Sequence, residues 1–223
     1  MTHLETELQQ VKNDVLIMWE LVISQLRKSM KTLVTSDLEL VKEISLSEKI
    51  VNTYELKIDR DCENIFALYN PVAVDLRFVL AVLKINSNLE RIGDFASGIA
   101  KFARISNVPF EVDLLMKTRT IEMFEEACDI AEDVMQAFKN EDSVMANRIF
   151  VRDEMLDEIN KGAVDVLSDI IRKNPEKTEQ CLFILSCIRK IERVGDQSKN
   201  IAEEIIFYLE AKVLKHNKNK GKL

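Results

Sequence analysis

Asn88-Leu89-Glu90-Arg91-Ile92-Gly93-Asp94 is written again almost word for word as Lys190-Ile191-Glu192-Arg193-Val194-Gly195-Asp196. In each copy the two acids are four residues apart, so on a helix Glu90 and Asp94, or Glu192 and Asp196, lie one turn apart on one face. Like charges at that spacing repel by only a few tenths of a kcal/mol (~0.2–0.5), so one copy alone would signify little. Two copies in the same apolar setting define a repeat, and the repeat decides the fold.

Working outward from the first copy, Ile85, Leu89, Ile92, Ala96 and Ile99 recur at helical spacing and predict a helix over Val72 to about Arg104. Asn70-Pro71 closes the helix before it, because a residue preceding proline avoids the α region. That second helix starts after Thr35-Ser36-Asp37, with Ser36 as the expected N-cap, and runs to about Tyr69. A first helix covers Leu4 to Leu33, its apolar positions including Val11, Val15, Met18, Trp19, Val22 and Leu26. Ile105 to Asp113, with Pro109, reads as a linker. Beyond it the plan recurs: a helix over Leu114 to Phe138, a turn at Asn140-Glu141-Asp142, a helix over Ser143 to Lys173, a break at Asn174-Pro175 and a last helix from Glu176 to about Lys215. The offsets agree, since Asp37 matches Asp142, Glu48 matches Asp153, and Glu90 matches Glu192 after a three-residue shortening. The expected fold is all-α: six long up-and-down helices forming two pseudo-symmetric, spectrin-like three-helix bundles, residues 1–107 and 108–216. The basic run Lys215-His216-Asn217-Lys218-Asn219-Lys220-Gly221-Lys222 is expected to be a frayed, solvated tail, set apart from the second bundle as residues 217–223, with attraction to an anionic membrane as a minor alternative.

Composition agrees with long helices. Five Gly and three Pro in 223 residues leave few places to turn, and 47% apolar residues supply a buried core. A formal charge of −7 without a basic face argues against nucleic acid as a partner. The four cysteines, Cys62, Cys128, Cys181 and Cys187, stand singly in apolar helical patterns, as buried reduced thiols do. There is no secretory h-region and no run long enough to span a bilayer, so the expected location is the cytoplasm, with membranes met only through partners.

The acids flank the apolar stripe of their helices, and Gly93 and Gly195 lie between acids and stripe. A helical Gly costs about 1 kcal/mol relative to Ala, so its use at matching points predicts that a neighbouring backbone passes close. On the second helix Glu48, Asn52, Glu55 and Asp59 fall in line; on the fifth, Asp153, Asp157 and Asn160 do. Folding back at Asn70-Pro71 sets Glu48 opposite Asp94 and Asn52 opposite Glu90; the second repeat sets Asp153 opposite Asp196 and Asp157 opposite Glu192. The candidate metal ligands are therefore Glu90, Asp94, Glu48 and Asn52 on one seam, and Glu192, Asp196, Asp153 and Asp157 on the other. Carboxylates crowded beside an apolar seam do not all stay ionised without a counter-charge. An all-oxygen set suits Mg²⁺, Ca²⁺, Mn²⁺ or iron and speaks against a thiolate zinc site. The competing account is that Arg91, Arg193, Lys84 or Lys101 neutralise the acids as surface ion pairs.

The two E-R-[IV]-G-D segments, together with Asn70-Pro71-Val72-Ala73-Val74-Asp75-Leu76-Arg77 and Ile58-Asp59-Arg60-Asp61-Cys62, resemble the PhoU family over nearly the whole chain. The resemblance implies a metal-binding, non-enzymatic negative regulator of phosphate homeostasis, with mono- or multinuclear clusters of iron, manganese, magnesium or zinc on its E/D-x-x-x-D motifs. It further implies contact with the ATPase subunit of the phosphate ABC transporter and with a phosphate-sensing histidine kinase, and repression of phosphate uptake and of the starvation response. A homodimer is also expected. Two departures set the repeats apart. Asn200 follows the second motif where the first has Gly98, and the P-x-A-x-D-L-R signature occurs only in the first repeat, where Asp75 and Arg77 are as readily a cap and an ion pair. The alternatives are a metal-free helical adaptor, a related accessory protein of another phosphate transporter, and a carboxylate di-iron enzyme. The last ordinarily uses E-x-x-H pairs, and the only histidines are His3 and His216.

Overall fold

A reciprocal pair of hydrogen bonds between Thr2 and Glu5, each side chain taking the other's backbone N–H, opens helix α1 (His3–Thr35) in the computed structural model, which describes residues 2–106 and 109–214. Ser36 adopts a left-handed conformation (φ 50°) and donates its N–H to the Thr32 carbonyl, ending α1. It therefore does not serve as the N-cap of α2 (Leu38–Tyr69). An N-cap needs extended backbone, and Asp37 provides it, its carboxylate accepting from the N–H groups of Glu39 and Leu40. Left-handed Asn70 and then Pro71 turn the chain into α3 (Ala73–Ser106).

The predicted fourth helix is two. A short α4 (Val112–Lys117) stops at Thr118, Arg119 adopts φ 55°, and α5 (Thr120–Asn140) starts afresh. The Thr118 hydroxyl bonds back to the Leu114 and Leu115 carbonyls and meets the Thr120 hydroxyl, so side-chain oxygens take over from the helical ladder at the corner. Asp142 caps α6 (Ser143–Lys173) through the Met145 N–H. A 3₁₀ turn (Pro175–Lys177) then leads into α7 (Thr178–Glu210), which starts two residues later and ends five earlier than predicted. The boundary at 107/108 and the expected tail, Lys215 to Lys222 and 217–223, lie outside the described residues.

Helices α1, α2 and α3 pack pairwise into one three-helix bundle, and α5, α6 and α7 into the other. The bundles meet α3 against α7 and α1 against α5, so each helix at the junction touches its own counterpart, as twofold-like symmetry requires. One apolar cluster runs through both halves, from Val15, Trp19 and Ile92 to Phe124, Val134 and Ile191. At its middle the Trp19 indole N–H donates to the Ala131 carbonyl, 3.1 Å away. Among the described residues no helix is long and apolar enough to cross a membrane.

Candidate functional site

The repeated motifs lie on α3 and α7, the two helices that pack against one another at the centre of the molecule, each facing the helix before it across a polar seam. In the first seam the contacts run Asp59 to Asn86, whose Nδ2 is 2.8 Å from Asp59 Oδ1, and Glu48 to Ser97, whose hydroxyl donates at 2.5 Å. Glu48 thus meets Ser97 instead of Asp94, and the acid whose charge bears on both Glu90 and Asp94 is Glu55. Asn52, expected opposite Glu90, is exposed. The expected register is off by three residues for a simple reason. Side chains on a helix lean toward its N-terminus, so on antiparallel neighbours one set leans away from the turn and the other toward it. Each then covers a spot one to two residues behind its own Cα, and the contacting partner lies correspondingly further along.

Within this seam, burial pushes the Glu90 carboxyl up to about 7, the charges of Asp94 and Glu55 push the same way, Arg91 partly offsets them, and a hydrogen bond to Asp94 helps hold the proton. Burial, with Asp59 and Asp94, likewise raises Glu55. Beside them the Asn86 carboxamide is fully buried, its Nδ2 shared between Asp59 and the Glu55 carbonyl and its Oδ1 without a partner. Oxygen therefore outnumbers positive charge along the seam. The donor chemistry is that of a hard-cation site, although the carboxylates are spread along the helices. Among the described residues, no three Asp, Glu, His or Cys side chains are gathered so as to hold one ion.

The second seam is built differently. Asp153, with a side chain only 4% exposed, takes the ammonium of Lys199 at 2.5 Å, and the same ammonium lies 2.9 Å from Asp196. Asp153 and Asp196 thus come together as expected, but around a lysine. Asp157 and Glu192 complete the group, because Glu192 is raised by burial and then by Asp196, Asp157 and Asp153, with Lys199 opposing. Burial lifts the Asp153 carboxyl, with Lys199 acting the other way; burial also disfavours the Lys199 ammonium, yet its two carboxylate bonds outweigh that and raise it.

The glycines answer to side-chain atoms and not, as predicted, to a passing backbone. A Cβ on Gly195 would collide with Asp153 Oδ1 and stand 2.6 Å from Leu156 Cδ1. One on Gly93 would stand 3.0 Å from Gln25 Oε1, another buried oxygen without a partner. Of the proposed neutralisers only Arg91 bears on the acids, through its charge on Glu90. Lys84 pairs with Glu204 of α7, Arg91, Arg193 and Lys101 are exposed, and Asn200 reaches Asn88 at 3.5 Å. Gly98 leaves room for the Lys190 side chain. Sequence reasoning missed Lys199, although it stands three residues after Asp196, on the same face of the helix, where an ion pair with that acid is expected. It also missed Asn86 and Gln25, whose amides nothing in their apolar surroundings singles out.

Residues 15–103 and 120–205 each match the PhoU domain family. Among curated proteins the chain is 30% identical to the phosphate-specific transport system accessory protein PhoU homolog 1 of Thermotoga maritima, covering 96% of this chain and 91% of that one. It is 31% identical to the phosphate-specific transport system accessory protein PhoU of Escherichia coli, over 94% and 86% of the two chains. Among solved structures, that of PhoU from Pseudomonas aeruginosa superposes with a TM-score of 0.84 at 26% identity, over 93% of this chain and 99% of that one.

Proposed function

The chain belongs to the PhoU family, and from that premise we propose that it is an accessory protein of a phosphate-specific transport system, holding back phosphate uptake and the phosphate-starvation response when phosphate is plentiful. The observation that carries the reading is the doubled match: both repeats correspond to the family domain, and both E-R-[IV]-G-D motifs stand on the paired central helices α3 and α7. The partners this role calls for are the ATPase subunit of the phosphate ABC transporter and a phosphate-sensing histidine kinase, reached from the cytoplasm, with the chain acting as a homodimer. A pull-down from phosphate-replete cells tests it. Recovery of the ATPase subunit or the sensor kinase supports the assignment, and recovery of neither overturns it.

The same reading gives the first seam a cation to hold. Glu90 and Asp94, one turn apart, and Glu55 across the seam would be its ligands once their side chains swing together from the spread positions they hold without an ion, with Asp59, Glu48 and the unpartnered Asn86 Oδ1 at hand. A bound Mg²⁺, Mn²⁺, iron or zinc ion would supply the positive charge this seam lacks and let Glu90 ionise at neutral pH. Burial, reinforced by the charges of Asp94 and Glu55, pushes Glu90 up to about 7, and that supports this. The residues themselves keep solvent-facing carboxylates in a row while Val51 and Ile92, both buried, close the inner side.

A further inference from the structure

The repeats align residue by residue, so the side chain that stands where Lys199 stands can be read off in the first half: Glu48 corresponds to Asp153 and Ser97 to Lys199. In both halves the same two positions are joined, as Ser97 to Glu48 in one and Lys199 to Asp153 in the other. The first half places a neutral hydroxyl at that point and the second an ammonium. Neighbouring positions follow suit. Glu55 corresponds to Asn160, Asp59 to Val164, and Asn86 to Ile188, so the second seam has also lost oxygens that the first retains.

We propose that Lys199 is the resident cation of the second seam, an ammonium of the chain's own that takes the place a metal ion would fill, so that cation uptake is confined to the first half of the molecule. The second seam therefore does not fit the metal that its E-R-V-G-D motif implies. Two carboxylates already share one ammonium, with Nζ 2.5 Å from Asp153 and 2.9 Å from Asp196, and Asp153 is nearly sealed from water. A divalent ion entering there would have to push an attached positive charge away from the nearly sealed Asp153 carboxylate, where that charge is least screened. Tethering also works in the lysine's favour. Its stem springs from α7 itself, so the ammonium is present at high effective concentration whatever the metal supply.

The inference rests on the reading that these carboxylate seams take up a cation, and one titration separates the two. Chelator-treated full-length protein is titrated with Mn²⁺ while free Mn²⁺ is followed by electron paramagnetic resonance. The expected result is uptake by the parent protein that is lost in Glu90→Gln, one further ion per chain in Lys199→Gln and in the smaller Lys199→Ser, and no further ion in Lys199→Arg, which keeps the charge. Uptake by the parent that persists in Glu90→Gln overturns the first-seam reading. Lys199→Gln and Lys199→Ser proteins that remain folded and bind no more Mn²⁺ than the parent overturn the lysine's role, as does a gain in Lys199→Arg equal to theirs.

Discussion

Glu90 keeps its proton to about 7 in the folded chain, where an ordinary glutamate loses it near 4.5. Between those values the folded protein binds more protons than the unfolded one, so this side chain makes stability fall as pH rises through that window. Glu90→Gln removes the penalty by fixing the uncharged form. In chelator, Glu90→Gln is expected to be more stable than the parent by ~1 kcal/mol at pH 8, after discounting for solvent screening at this half-buried position, and to match it at pH 4.5. Urea unfolding at the two pH values measures the difference. A gap that does not change with pH would mean that Glu90 titrates as an ordinary glutamate. The second seam contrasts with this, because its lysine keeps a compensating charge beside Asp153 at every pH the folded protein meets.

Helices α6 and α7 show how a glycine's surroundings set the effect of filling it. In α7, alanine at 195 would collide with Oδ1 of Asp153, a carboxylate whose other oxygen is paired with Lys199, so Gly195→Ala is expected to destabilise by ~1–3 kcal/mol despite the helix propensity gained. In α6 nothing lies within 4 Å of a Cβ on Gly162, and Gly162→Ala is expected to stabilise by about 1 kcal/mol. Thermal melts of the two variants should therefore move in opposite directions. Which glycine was crowded was not legible from sequence beyond the clue of repetition. The helices themselves were legible where apolar spacing and an acidic cap coincided, as in α6, whose predicted span is the observed one. The corner at Thr118-Arg119 was hidden because neither glycine nor proline marks it and the apolar pattern continues across it. The seam residues could be picked out but not their exact partners. Counting residues from a turn ignores the lean of side chains, and that lean moved Glu48 from Asp94 to Ser97.

At the scale of the whole molecule the four thiols report on the integrity of the shared core. Cys62, Cys128, Cys181 and Cys187 are all buried and unpaired, and burial pushes Cys62, Cys128 and Cys187 up to about 12. A colorimetric disulfide reagent at pH 8 is expected to find no reactive thiol within minutes in the native protein and all four in denaturant; early reaction confined to Cys62 would mean that the halves open independently. Trp19 of α1, donating across the junction to Ala131 of α5, ties such opening to the loss of a buried hydrogen bond. With α3 and α7 also locked side by side, the molecule resembles a solid keel more than a clamshell. A binding partner would find the same outline in every state, so news of an ion's arrival would travel as altered voltage along the rim, not as a moving limb.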